Sequence, residues 1–448
     1  MSDPSMVRRR LGWWVLGMVV VAWPGIARAQ AEPPPPPAAA VAVAPAPPPP
    51  PVAPAANPPP PAAEPTVAPL TSPAPGAGKP AEPATAKWYD GVAIEAFVDG
   101  FASINYNFPK PQSPTGGFGG NQLRAFDTAQ GFALHWVGLN ASVAPEPVGG
   151  TVSLRLGPSA GIYNGSDNAY GLRFVKQAFA SWKPGGAQSS VTLDFGKYDQ
   201  PFGSEVADTQ LNLNYSRSGL YWYAQPLFFT GLRLDWAVTD MIDLKLFAAN
   251  GWNNSVDTNR GKSFGAQINV KPTAETLIAV GYMGGPEQAD AAVGNDASGA
   301  SVVTDTDAGG NLKHLVDVVF DATIAEKFRI LLNGDYGAET LPVVGGVSWY
   351  GVNLGLKYQF DDAWGLALRG EYYGDPDGYT TATGKKGTKL VDGTLTASYS
   401  PSNHLLLRLE QRLDYLTSDG DTARFQTKLT GTSHTQMTTM LGVVVKTN

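Results

Sequence analysis

The chain has 448 residues, a formal net charge of −7 and no cysteine. The lack of cysteine excludes disulfides, zinc–thiolate sites and thiol nucleophiles, and the negative charge makes the chain a poor binder of nucleic acid. Hydrophobic residues make up 43% of the chain, and 51 residues are glycine. This composition is too polar for a bundle of membrane helices, but it is typical of a β-barrel with a polar lumen.

Residues 1–29 have the pattern of a cleaved export signal. Arg8–Arg10 form a basic start, Leu11–Ala22 is an apolar run, and Ala27–Ala29 is an A-x-A cleavage site. We expect removal of this segment on export, and an uncleaved N-terminal anchor is the alternative. Because the apolar run has only about a dozen residues and no run of about 20 follows it, a membrane-embedded mature chain must span as a closed barrel.

Residues 30–87 form a low-complexity segment rich in proline and alanine, including Pro33–Pro37 and Pro47–Pro51. Proline fixes φ and lacks a backbone donor, so this segment cannot form a sheet or a packed core. We expect a disordered, extended periplasmic spacer. Two roles stay open for residues 31–86: a passive spacer, or a tether that reaches the cell wall or a periplasmic partner.

From residue 88 to residue 448, prolines become rare and apolar residues alternate with polar ones at period two. This alternation is typical of strands with one apolar and one hydrated face, and we predict an all-β fold, a transmembrane antiparallel up-and-down β-barrel. A count of about sixteen strands is even, as expected when both ends of a bacterial barrel face the periplasm, although fourteen or eighteen stay open. The predicted strands are Val92–Tyr106, Phe132–Val143, Thr151–Gly161, Arg173–Trp182, Val191–Tyr198, Phe228–Val238, Ile242–Asn250, Ser263–Val270, Leu277–Met283, His314–Asp321, Phe328–Tyr336, Val352–Phe360, Trp364–Tyr373, Val391–Tyr399, Leu405–Leu416 and Thr435–Lys446.

The segment from Phe228 to Thr239 shows the alternation most clearly. Its apolar face reads Phe228, Thr230, Leu232, Leu234, Trp236 and Val238. An arginine or lysine on the lipid side costs about 2–4 kcal/mol at the midplane, so the charged faces must line the lumen, where we expect water to solvate them. The predicted lumen-lining charges are Arg233, Asp235, Lys357, Arg369, Glu371, Arg408, Glu410, Arg412 and Asp414.

Aromatic residues lie near the predicted strand ends, where membrane-interface girdles belong. The predicted girdle residues are Trp236, Tyr358, Phe360, Trp364, Tyr399 and Tyr415. Packing of these residues in a soluble core is the alternative.

The predicted connections alternate between short and long. The short ones are tight polar turns suited to the periplasmic side, and the long ones are rich in Gly, Asp, Ser and Thr, as on the extracellular side. A soluble sandwich would not need this strict alternation. The short turns are 237–242, 361–363 and 400–404, and the long loops are 284–313, 374–390 and 417–432.

The long segment Gln200–Pro226 follows the fifth predicted strand. By analogy with general porins, we hypothesise that it folds into the lumen, where opposed acidic and basic groups set a transverse field across a constriction. The candidate constriction residues are Glu205, Asp208, Arg217 and Tyr215. An external loop with solvated charges is the alternative.

Catalytic and metal-binding patterns are weak. The histidines are widely spaced, with no H-x-x-x-H or H-E-x-x-H pair: His135, His314, His404 and His434. Nothing distinguishes a pairing of His135 with Ser153 from chance, and the Asp-rich loops at 305–307 and 375–378 lack the spacing of an EF-hand. We therefore expect no enzyme activity, no metal site and no cofactor.

Four motifs carry a resemblance to a known family. Gly196–Glu205 reads GKYDQPFGSE, Asn214–Ser218 reads NYSRS, Leu368–Gly378 reads LRGEYYGDPDG and Leu407–Asp414 reads LRLEQRLD. Together they resemble the OmpL-like β-barrel porins, from about residue 95 to residue 445. The resemblance implies an outer-membrane barrel, and it implies the fold more firmly than a substrate.

These patterns predict a porin of a Gram-negative-type outer membrane, with passive diffusion of small hydrophilic solutes or ions through a water-filled lumen. The expected partners are outer-membrane lipid and those solutes, without nucleic acid. A structural anchor, tethered through the proline-rich arm, is the alternative. A carrier for hydrophobic substrates is disfavoured because the lumen is charged and residues 31–86 cannot fold into a plug. The sequence leaves the solute, the ion preference and the oligomeric state open.

Overall fold

The structure, a computed structural model, describes residues 91–111, 120–295, 301–305, 308–341, 344–420, 423–428 and 431–447. The predicted signal peptide and proline-rich spacer lie outside the described residues. Within these ranges, no helix has the length and apolar character needed to cross a membrane. The strands are β1 (Val92–Asn105), β2 (Gly131–Val143), β3 (Val148–Leu156), β4 (Val175–Trp182), β5 (Val191–Asp199), β6 (Phe228–Ala237), β7 (Ile242–Ala249), β8 (Ser263–Thr273), β9 (Thr276–Pro286), β10 (Ala291–Asn295), β11 (Ser301–Asp305), β12 (Leu312–Ile324), β13 (Phe328–Leu341), β14 (Gly345–Gln359), β15 (Trp364–Asp375), β16 (Thr388–Ser402), β17 (Leu405–Thr417), β18 (Phe425–Thr427), β19 (Gly431–Ser433) and β20 (Thr435–Lys446).

Sixteen of these strands form one closed antiparallel barrel in chain order, namely β1 to β9, β12 to β17, and β20. The barrel closes where β1 pairs with β20, from Phe97 opposite Lys446 to Asn105 opposite Thr438. A closed sheet has no free edge, so the wall satisfies its own backbone donors and acceptors, as a bilayer requires. The other strands form two small hairpins, β10 with β11 and β18 with β19, inside connections.

The predicted strand count is confirmed, and each predicted strand overlaps one barrel strand. The third prediction, Thr151–Gly161, is wrong at its end. Strand β3 stops at Leu156, and the chain then forms helix α1 (Pro158–Asn164). Proline is favoured in the first turn of a helix, where its missing N–H has no partner to lose. Gly157 supplies the turn before it with a φ of 154°, a conformation that side chains rarely adopt.

The connections define two rims of the barrel. The short-turn rim holds turns such as residues 238–241 and 403–404, and the long-loop rim holds the hairpin-bearing connections. The predicted strict alternation is wrong at one place on the long-loop rim. Strands β13 and β14 stay paired up to Leu341 opposite Gly345, so their connection is short.

The outer wall of the barrel is apolar. On β14, Leu354 is exposed while its neighbour Asn353 is buried, and on β17, Leu409 is 55% exposed while Arg408 and Glu410 are buried. A soluble monomer rarely leaves so continuous an apolar surface in water. The outward leucines therefore meet lipid, and the charged faces line the lumen.

The predicted girdle residues lie at strand ends on the outer wall. Five lie toward the short-turn rim, and Trp364 stacks on Tyr399 there with ring centroids 4.4 Å apart. A second set at the long-loop rim escaped the sequence analysis: Phe132, Tyr282, Tyr336 and Tyr350 are all exposed. Placement of both sets at the membrane interfaces stays a prediction.

Phe228 departs from its predicted face. Phe228 is fully buried, whereas Leu232, on the same predicted face, is exposed. Its ring packs against Tyr163 of α1 at 5.7 Å and lies under the Lys197 ammonium at 3.7 Å. The alternation could not reveal this, because the cover comes from the connection between β3 and β4.

The lipid-facing assignment predicts a depth-dependent cost of charge along β17. Leu409→Arg should destabilise the barrel by about 2–4 kcal/mol, because the guanidinium would face acyl chains near the midplane. Leu405→Arg, on the same face at the short-turn end, should cost about 0–1 kcal/mol. Urea unfolding in lipid vesicles measures both values, and equal costs would contradict the assignment.

Candidate functional site

The connection between β5 and β6, residues 200–227, folds into the barrel, and we call it the inward loop. Of its residues, only Val206 and Leu211 are exposed. The rest is covered because the inward loop touches the inner wall at every barrel strand besides the two it joins. Its regular structure is one 3₁₀ turn and one π-helical turn, so contacts with the wall set its position.

Tyr215 fixes the inward loop where the barrel closes. Its hydroxyl donates to Asp99 Oδ1 of β1 at 2.8 Å. Its ring lies on Gly442 of β20, where an added Cβ would come within 2.1 Å of the ring. Arg217, two residues on, contacts His135 Nε2 of β2 at 2.9 Å. A side chain at position 442 would displace the tyrosine, so this part of the wall requires glycine.

Two acids of the inward loop meet basic side chains of the wall. Asp208 accepts hydrogen bonds from Arg155 Nε and Nη2 at 2.9 and 2.8 Å, and Lys176 Nζ lies 3.3 Å away. Glu205 accepts from Arg369 Nη1 at 3.0 Å, on a different side of the barrel. These side chains are nearly inaccessible to solvent. Removing one partner would therefore leave a buried charge uncompensated.

Wall carboxylates also bind the backbone of the inward loop. Glu410 Oε2 accepts the N–H of Tyr215 at 2.6 Å, and its Oε1 accepts that of Ser216 at 3.1 Å. Glu371 accepts the N–H groups of residues 219 and 220 at 2.8 and 2.7 Å. Hydrogen bonds to an ionised acceptor are among the stronger ones in proteins. The wall thus satisfies backbone donors that an irregular buried segment would otherwise leave free.

Three wall arginines satisfy the loop carbonyls. Arg408, Arg369 and Arg412 each donate to at least one backbone oxygen of the inward loop, at 2.5 to 2.9 Å. The accepting carbonyls belong to Thr209, Asn212, Asn214, Ser216 and Arg217. Together with the two glutamates, these arginines form a charged wall matched to the backbone of the loop.

Part of the connection between β1 and β2, residues 120–130, lies in the lumen beside the inward loop. Residues 124–127 of this connection are buried. Arg124 pairs with Asp127 at 2.9 Å and with Asp414 of β17 at 2.7 Å, and Asp414 also pairs with Arg412 at 2.7 Å. No periodic pattern marks this segment in the sequence, so its entry into the lumen was not predicted.

The other side of the inward loop is largely apolar. Phe202 packs against Phe229 and Phe247, with ring centroids 6.3 and 5.8 Å apart. Trp349 Nε1 donates to the carbonyl of Ala224 at 3.2 Å. The inward loop is thus held by charge on β3, β4 and β15 to β17, and by aromatic packing on β6, β7 and β14.

Toward the short-turn rim the lumen stays partly accessible to water. Arg233 pairs with Asp194 at 2.5 Å and with Asp235 at 3.0 Å, and the side chains of Arg233 and Asp235 keep 17% and 25% exposure. Lys357 is half-buried and has no ion pair within the described ranges.

The expectation that water solvates the lumen charges is wrong for six of them. Arg369, Glu371, Arg408, Glu410, Arg412 and Asp414 are all buried. The inward loop and the connection from β1 to β2 take the place of water around them. Arg233, Asp235 and Lys357 keep contact with solvent.

The structure places all four candidate constriction residues inside the barrel. Glu205, Asp208, Arg217 and Tyr215 each bind the wall and do not face one another across a gap. The sequence did not predict that Asp208 pairs with Arg155 and Lys176 of the wall. Lys176 sits at a register shift between β3 and β4, where simple alternation fails.

The histidines do not form a cluster. His135 contacts Arg217, whereas His314 hydrogen-bonds Tyr282 and His404 approaches the carbonyl of Lys446. In the described part of the chain, no three or more His, Cys, Asp or Glu side chains are grouped to hold a metal ion.

A closed antiparallel barrel with an apolar outer wall, a charged lumen and an inward loop defines a porin-type outer-membrane channel. The chain belongs to the family described as "Putative beta-barrel porin-2, OmpL-like", whose family model matches residues 91–446. No curated protein matches the chain.

Solved structures share the fold at low sequence identity. The outer membrane channel DcaP of Acinetobacter baumannii is 12% identical, with a TM-score of 0.52, and the match covers 80% of this chain and 97% of that one. The trimer form of OmpT of Vibrio cholerae is 11% identical, with a TM-score of 0.50, over 80% of this chain and 99% of that one. These likenesses support the barrel architecture.

Loss of a wall arginine should loosen the inward loop. Arg369→Ala removes donors to Glu205 and to the carbonyl of Ser216, and a hydrogen bond to a charged group contributes about 1.5–3 kcal/mol. Amide hydrogen exchange in residues 200–227 should accelerate by a factor on the order of ten or more. Arg329→Ala, which removes a wall base paired with Asp321 away from the loop, should leave that exchange unchanged. Equal acceleration in both variants would contradict this role of Arg369.

Proposed function

We propose that small hydrophilic solutes or ions diffuse passively through the barrel, past the inward loop, without covalent chemistry. A barrel of sixteen strands is wide enough for an aqueous channel when its lumen is not filled by side chains. The observation that carries the proposal is the inward loop itself, which lies across the lumen and binds charged groups on the wall. Such a loop narrows the passage and selects solutes by size and charge.

Glu205, Asp208, Arg217 and Tyr215 are the proposed constriction residues. Glu205 and Asp208 face arginines on different sides of the barrel, which supports a passage bordered by fixed charges of both signs. The predicted lumen-lining set contains five bases and four acids. A nearly balanced set favours weak discrimination between cations and anions.

Shortening the inward loop should widen the passage. Replacing residues 205–218 with a short Gly-Ser linker removes the contacts of Glu205, Asp208 and Tyr215. Single-channel conductance in planar bilayers should rise by a factor on the order of two to ten, because a 16-stranded barrel without its constriction is a wide pore. The same replacement in residues 291–305, which hold the hairpin of β10 and β11 at the long-loop rim, should leave conductance unchanged. Conductance that stays the same after both changes would exclude the inward loop as the constriction.

Fixed charges on the inward loop should influence ion flow. Replacing Glu205 and Arg217 together with Ala removes one charge of each sign while leaving the net charge unchanged. Single-channel conductance or ion preference should therefore change through the local field alone. If both quantities equal those of the unmodified protein, these two residues do not border the passage.

A tethering role for residues 31–86 stays a second proposal, motivated by their proline-rich composition. Deleting this segment separates the two functions. Loss of envelope integrity with unchanged conductance would favour the tether, and an intact envelope would oppose it.

A further inference from the structure

Two buried carboxylates face each other inside the barrel without a base. Asp317 of β12 and Asp335 of β13 are register partners on neighbouring strands, and their side chains come within hydrogen-bonding reach. They are 0% and 5% exposed. No lysine or arginine in the described part of the chain forms an ion pair with either. Two ionised carboxylates cannot remain this close in a buried site unless something neutralises them.

Few donors surround the pair: two side-chain amides, and the backbone N–H of Gly203 in the inward loop, which reaches Asp317. Asn333 Nδ2 donates to Asp317 Oδ2 at 2.7 Å, and Gln225 Nε2 of the inward loop donates to Asp335 Oδ2 at 2.7 Å. The other oxygen of each carboxylate, Oδ1, has no partner among the described residues. The same is true of Gln225 Oε1, although this side chain is only 2% exposed. Three buried oxygen atoms, two on the pair and one on the adjacent Gln225, are thus left without a hydrogen-bond donor.

A second carboxylate pair in the lumen is neutralised by arginines. Glu371 and Asp392 are also register partners on neighbouring strands. Arg369 Nε and Arg412 Nη2 each lie 3.3 Å from Asp392, and Glu371 binds two backbone N–H groups of the inward loop. The pair of Asp317 and Asp335 has the same geometry in the wall and lacks the arginines.

We propose that Asp317, Asp335 and Gln225 bind a calcium ion, which joins the inward loop to the wall at β12 and β13. Carboxylate and amide oxygens are the ligands that Ca²⁺ prefers, and its flexible coordination suits a site of few protein ligands completed by water. Mg²⁺ demands near-ideal octahedral geometry and dehydrates reluctantly, so it suits a buried site less well. The site has only two carboxylates, and the amide oxygen of Gln225 would supply the third protein ligand.

The bound ion has a consequence for the inward loop. Gln225 lies at the end of the loop that returns to β6, and it also donates to Asn333 Oδ1 at 3.0 Å. The other end of the loop reaches the same asparagine, because the backbone N–H of Ser204 donates to Asn333 Oδ1 at 3.3 Å. Calcium would therefore clamp both ends of the inward loop to one part of the wall. The ion would neutralise Asp317 and Asp335, as Arg369 and Arg412 neutralise Asp392 elsewhere in the wall.

Calcium binding can be measured without any transport assay. The purified full-length protein in detergent, stripped with a chelator, is titrated with CaCl₂ in a calorimeter, up to about 1 mM, the range of extracellular calcium modules. We expect one Ca²⁺ per chain. Asp335→Asn and Gln225→Ala should each weaken binding by about tenfold or more, as loss of groups around a metal does. Asp321→Asn is the matched control, because Asp321 lies on β12 like Asp317 but pairs with Arg329. This variant should bind calcium like the unmodified protein.

Each outcome bears on the site. Absence of binding to the unmodified protein would overturn the proposal and leave a shared proton as the neutralising group. Equal binding by Asp335→Asn would also overturn it, since the ion would then sit elsewhere. Gln225→Ala leaves the barrel strands intact, so weaker binding in that variant cannot be ascribed to a misfolded wall. A rise in the unfolding temperature with CaCl₂ that Asp335→Asn abolishes would support the clamp.

Discussion

The structure depends on one constraint: a charged side chain that points into the barrel needs a partner there. Lipid on the outer side forces the charges of each strand inward, and burial without a partner is costly. In this protein some partners are opposite charges, as for Arg155 and Asp208, and others are backbone groups of the inward loop. Glu371 and Glu410 accept loop N–H groups, and Arg408 donates to loop carbonyls. The wall and the loop therefore stabilise each other.

This mutual dependence explains why an irregular segment can lie buried in the middle of a barrel. Buried loops are rare because their backbone polar groups lack partners. Here the wall supplies donors and acceptors on one side and aromatic rings on the other. In the proposed function, solutes pass through the remaining space between loop and wall, where fixed charges act on them. Calcium at Asp317 and Asp335 would complete this arrangement on the side that has no arginine.

The barrel was predictable from the sequence, whereas the contents of the lumen were only partly so. Period-two alternation identified every wall strand because lipid imposes it residue by residue. It could not show that α1 covers Phe228, that Lys176 lies at a register shift, or that residues 124–127 enter the lumen. The inward course of the loop was hypothesised from its length and its place after β5. Its partners were not, because Arg155, Arg369 and Glu410 come from strands far apart in sequence, and only closure of the barrel brings them together.

The central claim is that a hydrated path passes the inward loop while the loop stays bound to the wall. Swelling of liposomes that contain the purified full-length protein tests this claim most directly. The account predicts that a sugar of monosaccharide size enters the liposomes, and that a large polysaccharide does not. If neither sugar enters while spectroscopy shows a folded barrel in the bilayer, the inward loop seals the lumen and the account is contradicted.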